Sequence, residues 1–150
     1  MWQPFTNFFV SGSADKSVSI WDMRTGLTVQ TFYGHLNAIN DVSFSIGGQY
    51  VASVDADGIV KLWDIRQVSQ VFTADIGDTA INCCTFDKTG KYVIIGCSNG
   101  EVKVLNIAND GEVVGSFKAH EKAAVSSVLV NQENNQLYTA GGDGLIKTWQ

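Results

Sequence analysis

The stretch Asp55-Ala56-Asp57-Gly58-Ile59-Val60-Lys61-Leu62-Trp63-Asp64 joins a hairpin turn to a strand that ends in Trp-Asp. Asp57-Gly58 is turn chemistry, and the β-branched, alternating run after it reads as a half-buried strand. The same arrangement stands 42 residues upstream, where Asp15 precedes Ser17–Ile20 and Trp21-Asp22. Another 42 residues downstream, Asn99-Gly100 leads to Leu105-Asn106, and 44 residues beyond that Asp143-Gly144 leads to Trp149-Gln150. In all four places the turn acid or amide lies six residues before the Trp or Leu. Gly34-His35 and Ala119-His120 add a third marker, degraded to Ile76-Gly77 between them. Self-similarity at a fixed period is the signature of a repeat architecture.

The intervening residues predict strands. In the second unit they fall near Ile39–Phe44, Tyr50–Asp55, Ile59–Asp64 and Gln70–Asp75, joined at Gly47-Gly48, Asp57-Gly58 and Gln67-Val68. No window of ten or more residues carries helical periodicity, so the chain is expected to be all-β.

These markers resemble the WD40 family, whose unit of about 40–45 residues builds one blade of a β-propeller. The resemblance implies a single partial propeller over residues 1–150, with units at about 1–33, 34–75, 76–118 and 119–150. It also implies a structural hydrogen-bonded tetrad in each blade, running from Trp through His and Ser/Thr to Asp. His35, Ser53, Asp57 and Trp63 would form one, and His120, Thr139, Asp143 and Trp149 another. The first unit keeps Ser11, Asp15 and Trp21, and the third has Gly77, Ile95, Asn99 and Leu105 in place of all four. A Ser-His-Asp set also invites a hydrolase reading. A triad needs an exposed nucleophile and oxyanion donors, and its recurrence at repeat spacing favours a structural role.

Composition narrows the function. The 150 residues carry 10 Lys+Arg against 15 Asp+Glu, a net charge of −5, with 45% hydrophobic residues. Such a chain is too apolar for disorder and lacks the cationic field of a nucleic-acid binder. No apolar run approaches the ~20 residues of a bilayer span. The start, MWQPFTNFFV, carries no signal-peptide pattern. Cys83, Cys84 and Cys97 offer no metal knuckle or paired framework and are expected to be reduced core residues. No cofactor, metal or small-molecule substrate is expected, and no enzyme activity.

Strand counting gives fourteen strands, or about three and a half four-stranded blades, with the first unit lacking its inner strand and the last its outer one. Propellers close with about four to eight blades. The expectation is therefore the C-terminal half of a seven-blade propeller, exposing an apolar face on its first blade and a free edge on its last. Poor solubility or oligomers would follow. Two copies would supply enough strands, but in the wrong grouping.

At finer grain, SADKSVSIWDMRTG, FYGHLNAINDVSF, DADGIVKLWDIR, TADIGD and GGDGLIKTWQ resemble the sperm-associated antigen WD-repeat family of the axonemal central apparatus. The degenerate third unit, with its DIGD, carries most of that likeness, and the earlier blades of that family are missing here. The resemblance implies a non-enzymatic scaffold of motile cilia and flagella, in the cytoplasm and cytoskeleton, binding central-apparatus proteins and helping to stabilise the central pair of microtubules. Candidate contacts lie at the histidine end of the blades: Leu36, Asn37, Asp55, Asp78, Thr79, Glu121 and Lys122. The alternatives are a centriole-assembly scaffold, or a substrate receptor of a cullin-RING ubiquitin ligase. The latter would dock through the WDxR arginines Arg24 and Arg66 at the opposite end.

Overall fold

The computed structural model describes residues 1–131 and 133–150. Fourteen strands occupy the described residues, in four antiparallel sheets whose strand order follows the chain. The first sheet holds β1 (Phe8–Gly12), β2 (Ser17–Asp22) and β3 (Leu27–Tyr33). The second holds β4 (Ile39–Phe44), β5 (Tyr50–Asp55), β6 (Ile59–Asp64) and β7 (Ser69–Asp75). The third holds β8 (Ile81–Phe86), β9 (Tyr92–Cys97), β10 (Glu101–Asn106) and β11 (Glu112–Lys118). The fourth holds β12 (Val125–Val130), β13 (Leu137–Gly141) and β14 (Ile146–Trp149). The expected strand count and the three and a half blades are what the molecule shows.

The blades pack face on face, and three apolar clusters fill the spaces between them. Val10, Val18, Ile20 and Phe32 of the first sheet meet Ile39, Val42, Phe44, Val51 and Trp63 of the second. The second sheet's Ala52, Val54, Val60, Leu62, Phe72 and Ala74 meet Ile81, Cys84, Phe86, Val93, Ile95 and Leu105. Between the third and fourth sheets, Cys83, Ile94 and Val102 meet Val125, Val128 and Val130. The central strands β5, β6 and β9 bury both faces in this arrangement, which is why they read as nearly continuous apolar runs, whereas the outer strands β3, β7 and β11 stay largely exposed.

The inner strands β4, β8 and β12 carry the same irregularity. Their pairing with the next strand slips at Asn40, Asn82 and Ser126 respectively. A bulge re-aims the extra residue. Here Asn40 donates from Nδ2 to the Ile81 carbonyl at 2.8 Å, and Asn82 donates to the Val125 carbonyl at 2.9 Å. Each asparagine thus ties its blade to the first residue of the next inner strand. Asp41 adds a second tie, accepting from the Cys84 amide at 2.9 Å.

The first blade departs from its expected strand set. Met1 and Val10 exchange backbone hydrogen bonds at 2.8 Å, Gln3 donates to the Phe8 carbonyl at 2.9 Å, and Trp2 pairs with Phe9. Residues 1–3 therefore lie along β1 where an inner strand would stand. The sequence around them, ending in Pro4, offers no strand pattern, and their pairing comes from the free edge of β1.

Candidate functional site: the histidine end of the blades

In the second blade, Trp63 sits opposite Val51 on β6, and its Nε1–H donates to the Ser53 hydroxyl at 2.9 Å. Ser53 Oγ lies 2.6 Å from His35 Nε2, and His35 Nδ1 lies 2.7 Å from Asp55 Oδ2. One proton arrangement satisfies every atom: Trp63 donates to Ser53, Ser53 to Nε2, and Nδ1–H to the carboxylate. Burial holds the imidazole below its ordinary pKa, outweighing the support of Asp55, so it stays neutral near pH 7. Asp55 Oδ1 also accepts from the Asp57 and Ile59 amides, both at 3.0 Å, and so fixes the β5–β6 turn.

Asp57, expected as the acid of this network, does not take part. It is exposed and accepts from Asn37 Nδ2 at 2.8 Å instead. The cause lies two residues earlier. Asp55 ends β5 opposite Ile39 with its side chain buried beside His35, so the carboxylate position is already filled. For the same reason Asp55 is no candidate for contact with a partner, because it is 0% exposed.

The fourth blade solves the problem the other way. Trp149 Nε1 donates to Thr139 Oγ1 at 3.0 Å, Thr139 Oγ1 lies 3.1 Å from His120 Nε2, and Asp143 Oδ2 lies 2.8 Å from His120 Nδ1. The residue in register with Asp55 is Gly141, which leaves the space that Asp143 reaches into from the turn. The hydrogen bond from His120 holds the Asp143 carboxyl below the usual carboxylate range.

In the first blade Trp21 donates to Ser11 Oγ at 2.9 Å, while Asp15 turns to its own hairpin and accepts from the Ser17 amide at 2.9 Å. Those bonds with Ser17 hold the Asp15 carboxyl low. In the third blade Ile95 and Leu105 are both fully buried, an apolar pair where Ser/Thr and Trp stand elsewhere. Replacing both partners of a buried hydrogen bond by apolar groups of fitting shape is nearly neutral, so that blade loses its network without a stranded polar atom.

These networks are closed to substrate. Ser53 is 0% exposed, and its oxygen is engaged by both Trp63 and His35. The cysteines are buried thiols; burial pushes Cys83 up to about 12 and raises Cys84 and Cys97 as well. Among the described residues no group of His, Cys, Asp and Glu is arranged to hold a metal ion.

What faces solvent at this end is the set of loops between blades. Leu36 is 83% exposed, Asp78, Glu121 and Lys122 are exposed, and Asn37 and Thr79 are half-buried. At the opposite end Arg24 and Arg66 are exposed on hairpin turns that Asp22 and Asp64 fix by accepting their amides at 2.8 Å. With the Asn7 amide oriented so that its oxygen faces Arg24, the orientation that satisfies both groups, Arg24 Nε and Nη2 would each donate to it at 3.0 Å. Sequence reading missed the asparagine ties, although Ile-Asn at 39–40 and again at 81–82 was available as a signal.

Sheets of three or four strands in chain order, packed face on face with Trp-anchored networks at one end, define the class as β-propeller blades. Residues 1–22 and 26–64 match the family described as WD domain, G-beta repeat, and residues 67–134 match the Anaphase-promoting complex subunit 4 WD40 domain. The chain is a WD40-repeat protein. Over 47 residues it is 38% identical to the Lissencephaly-1 homolog of Heterostelium pallidum, covering 31% of this chain and 11% of that protein. Over 54 residues it is 39% identical to Transcription initiation factor TFIID subunit 5 of Caenorhabditis elegans, covering 36% and 8%. Nuclear distribution protein PAC1 of Coccidioides posadasii is 43% identical over 47 residues, covering 31% and 10%. The chain spans about a tenth of the length of these relatives.

Proposed function

We propose that this chain is a non-enzymatic protein-interaction scaffold of the motile cilium or flagellum, acting in the central apparatus of the axoneme. The scaffold reading is supported by packed blades with buried networks and exposed loops of varied chemistry, as in other WD40-repeat proteins. The observation that carries the ciliary reading is the third unit. Its Asp75-Ile76-Gly77-Asp78 segment and its Leu105-Asn106 are irregularities that a generic repeat would not share. Partners would be central-apparatus proteins, met at Leu36, Asn37, Asp78, Thr79, Glu121 and Lys122. An antibody to DADGIVKLWDIR tests the proposal on detergent-extracted axonemes and soluble cytoplasm. A band retained in the extracted axoneme supports it, and a band found only in the soluble fraction overturns it.

The exposed Arg66, whose turn is fixed by Asp64, favours a second reading as a receptor docking onto a cullin-RING adaptor through paired arginines. Co-precipitation of the adaptor, lost in the Arg24→Ala/Arg66→Ala double variant, would promote it above the first.

A further inference from the structure

The grooves between blades repeat as the blades do. At the end opposite the histidines, Phe8, Val29 and Ile65 line a groove between the first and second blades, and Tyr50, Val71 and Ile107 line one between the second and third. Each residue of the second set stands 42 positions after its counterpart in the first. Phe8 and Ile65, like Tyr50 and Ile107, form the outward edge of an interblade core. The grooves hold about 190 and 530 Å³. The turn between β6 and β7 is the wall between them, because Ile65 and Val68 line the first groove and Val71 the second.

Val68 is the unusual residue of this wall. Its place in the turn is left-handed in three blades, with φ of 68° at Gly26, 53° at Val68 and 50° at Asp110. Glycine and aspartate suit that conformation, and a β-branched residue does not. Val68 is also 51% exposed, so little burial offsets the strain. A strained, exposed valine at the lip of an apolar groove points to a ligand.

The charges around the wall narrow its chemistry. Asp64 accepts from the Arg66 and Gln67 amides at 2.8 and 3.1 Å and from Gln49 Nε2 at 3.0 Å. Asp87 accepts from the Thr89, Lys91 and Tyr92 amides at 3.0, 2.9 and 2.8 Å. Both acids are thus tied into their own turns. Arg66 on the wall and Lys91 at the second groove are exposed and, among the described residues, form no ion pair. On a chain of net charge −5 they make a local cationic lip around two apolar seats.

We propose that the rim of the second blade binds an extended acidic segment of a partner protein, which lays one apolar side chain in each groove and its carboxylates against Arg66 and Lys91. The larger second groove takes the bulkier anchor. Packed sheets stand about 10 Å apart and an extended chain advances about 3.3 Å per residue, so the anchors are about three to five residues apart. Asp110 takes Val68's place at the second groove, which directs the acids to Arg66 and Lys91 instead. The proposal rests on the reading of the chain as an interaction scaffold and adds a surface away from the histidine end.

Panning a phage library of random peptides on the 150-residue chain tests it. Enriched sequences should carry two apolar residues at that spacing among acidic ones. Synthetic copies should bind Val68→Asn and Val71→Ser about tenfold more weakly than the parent chain. The Arg66→Glu/Lys91→Glu variant should lose affinity similarly, and binding to the parent should weaken as salt rises. Asparagine tolerates the left-handed turn, so Val68→Asn should melt no lower than the parent. A lower melting temperature would assign Val68 to the fold and overturn the proposal. So would a library without enrichment, an enriched set without acids, or peptides that the variants bind as tightly as the parent. Peptides lost on Leu36→Ser but kept by Val68→Asn would overturn it while leaving the scaffold reading intact.

Discussion

Asp55 and Gly141 occupy the same register position in their blades, each opposite the first residue of the inner strand, and the presence or absence of a side chain there decides which acid holds the histidine. With Asp55 in place, His35 bonds to it at 2.7 Å and Asp57 is left to solvent. With glycine at 141, Asp143 reaches His120 at 2.8 Å, and a Cβ on residue 141 would stand 2.4 Å from His120 Nδ1.

This relationship predicts an asymmetry that urea denaturation can measure. Asp55→Ala should cost about 1.5–3 kcal/mol, the contribution of hydrogen bonds to a charged group. Asp57→Ala should change stability by less than about 0.5 kcal/mol, as an exposed substitution does. In an Asp55→Gly background the space resembles that beside Gly141, and Asp57 can take over. There Asp57→Ala should cost about 1.5–3 kcal/mol. Equal, additive effects in the two backgrounds would show that Asp57 never substitutes for Asp55.

The blade architecture was legible because the markers are periodic. The turn residue stands six residues before the Trp position in every unit, His35 and His120 stand 22 and 23 residues before their turn residues, and the period survives even where residues are lost, as at Leu105. The acid of the second network was not legible, because the motif gives spacing along the chain and not which of two acids faces inward. Asp55 and Asp57 both lie within reach of the turn, and strand register with Ile39 settles the choice. The pairing of residues 1–3 left no pattern at all, since it rests on backbone hydrogen bonds to the neighbouring edge of β1 and not on a run of side chains.

Protonation of His35 gives the fold an acid-sensitive element. Its pKa is lowered in the folded state by burial, with Asp55 opposing and Lys61 adding slightly, so the folded protein binds fewer protons than the unfolded chain. The stabilising contribution is then complete above the unfolded value of 6.5 and falls as pH drops below it. The urea midpoint should decline from pH 7 toward pH 5. His35→Gln should be less stable at pH 7 yet show a shallower decline over that interval. An unchanged slope in the variant would assign the acid response to a group other than His35. The Asp143 carboxylate is not that group, because its pKa is held below the ordinary 3.8 and its contribution is lost only as pH falls from there.

The asparagine ties carry a separate expectation. Asn40 and Asn82 each donate one hydrogen bond across a blade junction, at 2.8 and 2.9 Å. Their acceptors, the Ile81 and Val125 carbonyls, belong to fully buried residues, so truncation leaves each without that donor. Asn40→Ala and Asn82→Ala should each cost about 1 kcal/mol, with hydrogen exchange accelerating first at the junction that was cut. Uniform acceleration across all four sheets would mean that the junctions do not open separately.

Gly96 tests how tightly the third and fourth blades meet. Its backbone on β9 lies against β12, where a Cβ would stand 2.6 Å from both Val125 Cγ1 and Cys83 Sγ. Backbone conformation is no obstacle, because Gly96 is an ordinary strand residue and the corresponding position on β5 is Val54. The cost of Gly96→Ala is therefore steric alone, and overpacking of this kind typically costs about 1–3 kcal/mol. Val125→Ala removes the nearest methyl groups and leaves a cavity, so alone it also destabilises. In the double variant the added methyl fills part of that cavity. The combined loss should then be smaller than the sum of the single losses by about 0.5–3 kcal/mol, the range seen for residues in contact. Additive losses in thermal unfolding would place the clash elsewhere, at Cys83 rather than at the junction with the fourth blade.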